Sequence, residues 1–353
     1  SGWRAADIAA ERGVALDTVR TQIKIVKSKT STPDIPALVR LLCGLAAGIH
    51  SPALMRVRGG TPLKSRRVLT LPDGRRLDYL DQGAPNGRPV LLFHNLPYGT
   101  ELPQAAIAQA HRDGVRFIAP FRPGFAGSDG VPDRGIDALL TQVGDDSSAL
   151  LAALDIPRAA VVSHAVGAGY ALRFARLFPE KVSRLVAVSR APIWRDEWMR
   201  QTPQRQRFIM RLTRHAPALL PVVAWAMASC MNSRYANDFI VYNCKDGAAD
   251  ARAVENQETV DLIAKGSVEA AKNGIDAVCR ECRLVLLDMT AEARETPHKF
   301  HILHGDDDRI IALAQSQAFV DEVPGATLEV VEDAGQLLFY SHWHRVLSAV
   351  KDA

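Results

Sequence analysis

"VVSHAVGAGYALRFARLFPE", residues 161–180, reads as a short apolar strand that enters a helix through a tight turn of small residues. The apex of that turn is Ala165, so the most constrained point of the segment presents only a methyl group. Working outward, short apolar runs alternate with longer helical stretches from about Thr61 onward, the pattern of a parallel sheet with crossover helices. Strands are expected at 66–71, 77–83, 89–94, 116–120, 159–163, 184–189, 299–305 and 327–332. Residues at about 191–295 carry no strand signal and are rich in Met and Trp. They read as a helical cap over the carboxyl edge of the sheet, where open α/β folds bind ligands.

The chain has 353 residues, 47% hydrophobic and 23% charged, enough for one large core and a smaller module. No apolar run reaches the roughly 18 residues needed to span a bilayer, and no signal peptide is recognised. Five scattered cysteines argue against a disulfide framework and for a reducing cytoplasm. Cys279 and Cys282 form an isolated CxxC, which reads as a pair of helix residues rather than a metal site. No metal and no cofactor is expected.

Charge is unevenly placed. Residues 1–59 hold nine Lys/Arg against four Asp/Glu, while the remainder is nearly balanced. "RAADIAAERGVALDTVRTQIKIVKSKT" reads as two helices joined at Gly13, with Val19, Ile23 and Val26 forming a buried stripe on the second. Its other face carries Thr18, Arg20, Thr21, Gln22, Lys24, Lys27 and Lys29, a set suited to phosphates and base edges. The plainer reading of that face is a solvated basic surface. A third helix, 35–49, looks like a packing or dimerisation element.

The string "DIAAERGVALDTVRTQIKIVKSKT…ALVRLL" resembles the helix-turn-helix of the LuxR family of bacterial transcription factors. The resemblance covers about 40 residues and implies double-stranded DNA as a partner and a homodimer. The family's first helix would lie upstream of Trp3. Residues 1–50 are thus expected to form an all-α DNA-binding segment, 51–66 a linker, and 67–353 a ligand-sensing domain.

The larger part resembles the α/β-hydrolase superfamily. "LLFHNLPYGT" is similar to the family's His-Gly loop, with Asn95 where glycine is usual, and "APFRPGFAGSD" is similar to its P-D-x-R-G-x-G-x-S block. "HGDDDRI" matches the turn that carries the triad acid, implying that role for Asp308. The resemblance places Ala165 at the nucleophile of the elbow and Gln336, in "EDAGQLLFY", at the base. Neither a methyl nor an amide can serve. His342 and His344, the other candidates for the base, lie further along on the following helix.

These readings predict an α/β-hydrolase fold with a mostly parallel sheet, helices on both faces and a helical cap, preceded by a small all-α segment. They predict a protein that is not an enzyme: a cytoplasmic transcriptional regulator whose degenerate site (Ala165, Asp308, Gln336) binds a small, largely apolar effector. The expected lining is His94, Asn95, Leu96, His164, Ala165, Val166, Trp194, Trp198, Met227, Met231 and Gln336. The alternative is a hydrolase, an esterase or C–C bond hydrolase, with alanine in place of its serine. A third reading is an interaction module with a filled pocket.

Overall fold

The computed structural model describes residues 13–30, 65–96, 99–231, 236–273 and 275–351, together with 6, 9 and 10. The chain divides into two compact units, 1–57 and 58–353. In the first, Gly13 adopts φ +60°, and the amide of Val14 donates back to the Ala9 carbonyl, closing the preceding helical turn. Helix Leu16–Thr30 follows, with Val19 buried and Thr18, Arg20, Thr21 and Lys24 exposed. Gln22 is half-buried. The side chains of Val26, Lys27 and Lys29, the expected helix at 35–49 and nearly all of the expected linker lie outside the described residues.

All eight expected strands form one sheet in the second unit, ordered β1-β2-β4-β3-β5-β6-β7-β8. They are β1 (Arg66–Thr70), β2 (Arg76–Gly83), β3 (Arg88–Phe93), β4 (Val115–Pro120), β5 (Ala159–His164), β6 (Val182–Val188), β7 (Phe300–Gly305) and β8 (Thr327–Val331). β1–β2 and β2–β4 pair antiparallel; every other pairing is parallel. The central strands are buried on both faces, which explains why they read as continuous apolar runs. Two buried clusters sandwich the sheet, one around Phe117, Val162 and Leu338, the other around Phe93, Tyr170 and Phe319. This is the α/β-hydrolase fold. Helical segments from Asp196 to Glu295 occupy the interval between β6 and β7 expected for the cap. Cys279 and Cys282 both lie on helix Asp276–Cys282 as free thiols. No described helix is long and apolar enough to cross a membrane.

One buried ion pair joins sheet and cap. Arg122, just past β4, donates to both carboxylate oxygens of Glu281, each at 2.5 Å, and to the His94 carbonyl at 2.6 Å. The Tyr170 hydroxyl donates to the same carboxylate, and its ring lies 4.8 Å from the guanidinium carbon. The arginine of the "FRPGFAG" block is thus a structural tie.

Candidate functional site

The elbow keeps its strained geometry without its oxygen. Ala165 sits at φ +45°, a left-handed conformation disfavoured for a residue with a β-carbon. Its amide donates to the Val188 carbonyl at 2.9 Å, and the Ala168 amide donates back to it at 3.0 Å. Two positions on, a Cβ on Gly167 would lie 2.2 Å from the Phe93 carbonyl oxygen, so only glycine lets the helix approach β3 this closely.

Asn95 explains what became of the neighbouring amides. Its Oδ1 accepts from Leu96 N–H at 2.8 Å and lies 3.5 Å from Val166 N–H. Two backbone donors flanking an elbow apex would polarise a substrate carbonyl. Here the Asn95 side-chain oxygen lies against both of those donors.

Asp308 stands where the resemblance implies the acid. Asp308 is buried; its Oδ1 accepts from the Ile310 and Ile311 amides, both at 2.8 Å, and its Oδ2 is buried without a hydrogen-bond partner. Burial pushes its carboxyl well above the ordinary range. His304 Nε2 lies 3.7 Å from Oδ2, but that ring already bonds the Ser316 hydroxyl and the Ile311 carbonyl. Gln336 follows Gly335, where a Cβ would meet the Asp250 carboxylate at 2.3 Å. Asp250 accepts from the Gln336 and Leu337 amides, and burial raises its pKa to about 6. Ser189 Oγ donates to the Gln336 carbonyl at 3.0 Å, so the loop is held from both sides.

A cavity of about 230 Å³ opens above Ala165. Of the expected lining residues it brings together Asn95, Leu96, Ala165, Val166, Trp194, Met227, Met231 and Gln336. His94, His164 and Trp198 are placed elsewhere, and the expectation for them is corrected. His94 is buried, with Nδ1 donating to the Asn95 carbonyl and its ring edge-on to Phe125. His164 stacks on Phe339 at 4.9 Å. Trp198 packs in the second core cluster beneath Arg195. His342 and His344 are not in the cavity wall either. Sequence reading missed Arg190, Gln206, Asn243, Cys244 and the pair Ile310–Ile311. The last pair follows Asp308 immediately, a signal that was available. No cluster of three metal-ligating side chains occurs among the described residues.

Burial drives the His164 pKa down to about 4. The unfolded chain therefore takes up this proton below its ordinary pKa of about 6.5 while the folded chain does not, so stability is lost as pH falls from 6.5 to 4. In His164→Leu that loss is absent. Stability of the variant relative to the parent should rise by roughly 2–3 kcal/mol between pH 7.5 and 4.5 in urea unfolding. A constant difference would show that this ring is not held neutral.

The family model "Alpha/beta hydrolase family" matches residues 90–349, and the chain belongs to that family. A pimeloyl-[acyl-carrier protein] methyl ester esterase of Aromatoleum aromaticum is 24% identical over 269 residues, covering 72% of this chain and 92% of the relative. A 2-hydroxymuconate semialdehyde hydrolase of Pseudomonas putida is 25% identical over 315 residues, covering 83% and 92%. Among solved structures, an enol-lactonase from Burkholderia xenovorans superposes with TM-score 0.60 at 15% identity, covering 81% of this chain and 98% of its own. An esterase from Rhodococcus sp. gives TM-score 0.59 at 18% identity, covering 82% and 98%. These relatives overturn the expectation of a protein that is not an enzyme: by their names they are esterases, lactonases and hydrolases. The physical reason is that serine and histidine are only part of such a catalyst. Hydrolases stripped of their triad keep roughly 10³–10⁴-fold acceleration over water, from carbonyl-polarising donors and substrate binding alone.

Proposed function

We propose that this chain is a small-molecule hydrolase acting on an ester or an activated C–C bond of a largely apolar substrate held between sheet and cap. Water, rather than a side chain, is the attacking group. The observation that carries the reading is the 230 Å³ cavity directly over the Ala165 elbow, walled by cap methionines and floored by the Val166 and Leu96 turns. With an ester bound, its carbonyl oxygen displaces Asn95 Oδ1 and takes the two amides. Water adds to the carbonyl carbon, the acyl–oxygen bond breaks, and a water proton ends on the departing alcohol. No described wall residue offers a base near neutrality: burial holds the thiols of Cys244 and Cys282 up at about 12. Turnover should accordingly be slow, on the order of 10³–10⁴ above background.

The test is a panel of short aryl and alkyl esters and vinylogous diketones, followed in ¹⁸O-labelled water with intact-protein mass spectrometry. Label in the product acid, no burst and no acyl adduct are expected. Rates equal to buffer for every substrate would sink the proposal.

A further inference from the structure

Among the described residues, the cavity wall carries a single formal charge. Arg190 lines it, and no Asp or Glu is present among the described lining residues. Arg190 stands two residues past the end of β6 and is only 5% exposed. Its Nη2 donates to the Val285 carbonyl, and it makes no ion pair with any described carboxylate. Arg122, equally buried, shows the contrast: both of its forks are filled, by Glu281 and the His94 carbonyl. Burial, with no opposing carboxylate, brings the Arg190 pKa down to about 10, which still leaves it cationic at neutral pH. An unpaired buried cation is costly, and a structure that retains one beside a cavity has a use for a counter-charge.

The backbone beside it is built to hold the guanidinium there. Ser189 takes φ +65°, strain of the kind that gathers at functional positions. Its amide donates to the Leu303 carbonyl at 2.8 Å and its hydroxyl to the Gln336 carbonyl at 3.0 Å. Gln206 lines the same cavity, and its buried Oε1 has no hydrogen-bond partner. With its amide turned, it would offer an N–H toward an anion.

We infer that Arg190 anchors a carboxylate, and that this pocket takes a small apolar acid, with an acid monoester or oxo acid as substrate. A carboxylate matches one guanidinium with one donor already spent. A phosphate would bring more charge than this wall neutralises. At roughly 20–30 Å³ per non-hydrogen atom, the cavity suits a ligand of about ten such atoms. This specifies the substrate class of the hydrolase reading and rests on it for the word substrate, but the acid-binding site is testable without turnover.

The experiment compares matched pairs by calorimetry at pH 8 in low-chloride buffer: hexanoate against hexanamide, and phenylacetate against phenylacetamide. In the parent chain each acid should bind at least about tenfold more tightly than its amide. Arg190→Gln should abolish that ratio and leave amide affinity unchanged, whereas Arg190→Lys should keep part of it. If the arginine serves only to hold the Val285 carbonyl, stability moves in both variants and the ratio does not, which overturns the proposal. Equal binding of acid and amide by the parent overturns it as well, whether or not either variant folds. Acid preference without ester turnover would leave this site standing and remove the hydrolase reading.

Discussion

Ala165→Ser and Gln336→His, introduced together, are expected to raise kcat/KM for a short ester by about 10³-fold, while each alone gives less than about tenfold. Triad groups act as a unit: a serine without a base stays protonated, and an imidazole without a nucleophile has no partner to deprotonate. The scaffold keeps what the two additions need. The left-handed turn at residue 165 is already formed, and its amide and carbonyl are both engaged. Asp308 spends one carboxylate oxygen on two amides and leaves the other buried without a hydrogen bond, the atom an imidazole N–H would use. The loop bearing residue 336 is fixed by Asp250 on one side and Ser189 on the other. A burst of product and an acyl adduct should appear with the double variant and not with the parent. Adding Asn95→Gly should raise the rate again, because Oδ1 no longer competes for the Leu96 and Val166 amides. A double variant no faster than the parent, with an unchanged fold, would show that residues 165 and 336 are not within catalytic reach of each other.

Much of this was legible in the sequence, and the reason is local. The central strands, buried on both faces, must be apolar almost throughout and so announced themselves, and small residues around an apex read as a cramped turn. Asp308 was legible only through the resemblance, which matches "HGDDDRI" to the turn that carries the triad acid. Other features are properties of packing. His94 and His164 flank the loop and the elbow, so adjacency pointed to the pocket, but their rings pack on Phe125 and Phe339 instead. Arg190 was invisible because what distinguishes it is a missing carboxylate, which no single-residue pattern encodes. The Asn95 plug depends on amides from two separate segments converging on one oxygen. Reading function from Ala165 and Gln336 alone also gave too much weight to two positions, when the binding and polarising parts of a hydrolase site are spread over the loops and the cap.

Glu281→Ala should cost about 3–5 kcal/mol of stability at neutral pH, measured as a shift of the urea midpoint at constant slope. Both partners of the Arg122–Glu281 pair have side chains no more than 2% exposed, so solvent cannot take over from the lost carboxylate. The truncation strands the guanidinium, leaves the Tyr170 hydroxyl without its acceptor, and opens a void between the end of β4 and helix Asp276–Cys282. The pair's net worth is smaller than that loss, because assembling it required stripping two ions of water. Arg122→Met combined with Glu281→Leu should therefore recover most of the stability that Glu281→Ala removes. It should not recover function. Arg122 also holds the His94 carbonyl, one residue before Asn95, and so fixes the loop whose side chain guards the two amides. A stable double variant with a several-fold altered KM for esters would separate the two roles, holding the fold and aiming the loop. Full stability in Glu281→Ala itself would mean that the pair is hydrated and that sheet and cap are joined by apolar packing alone.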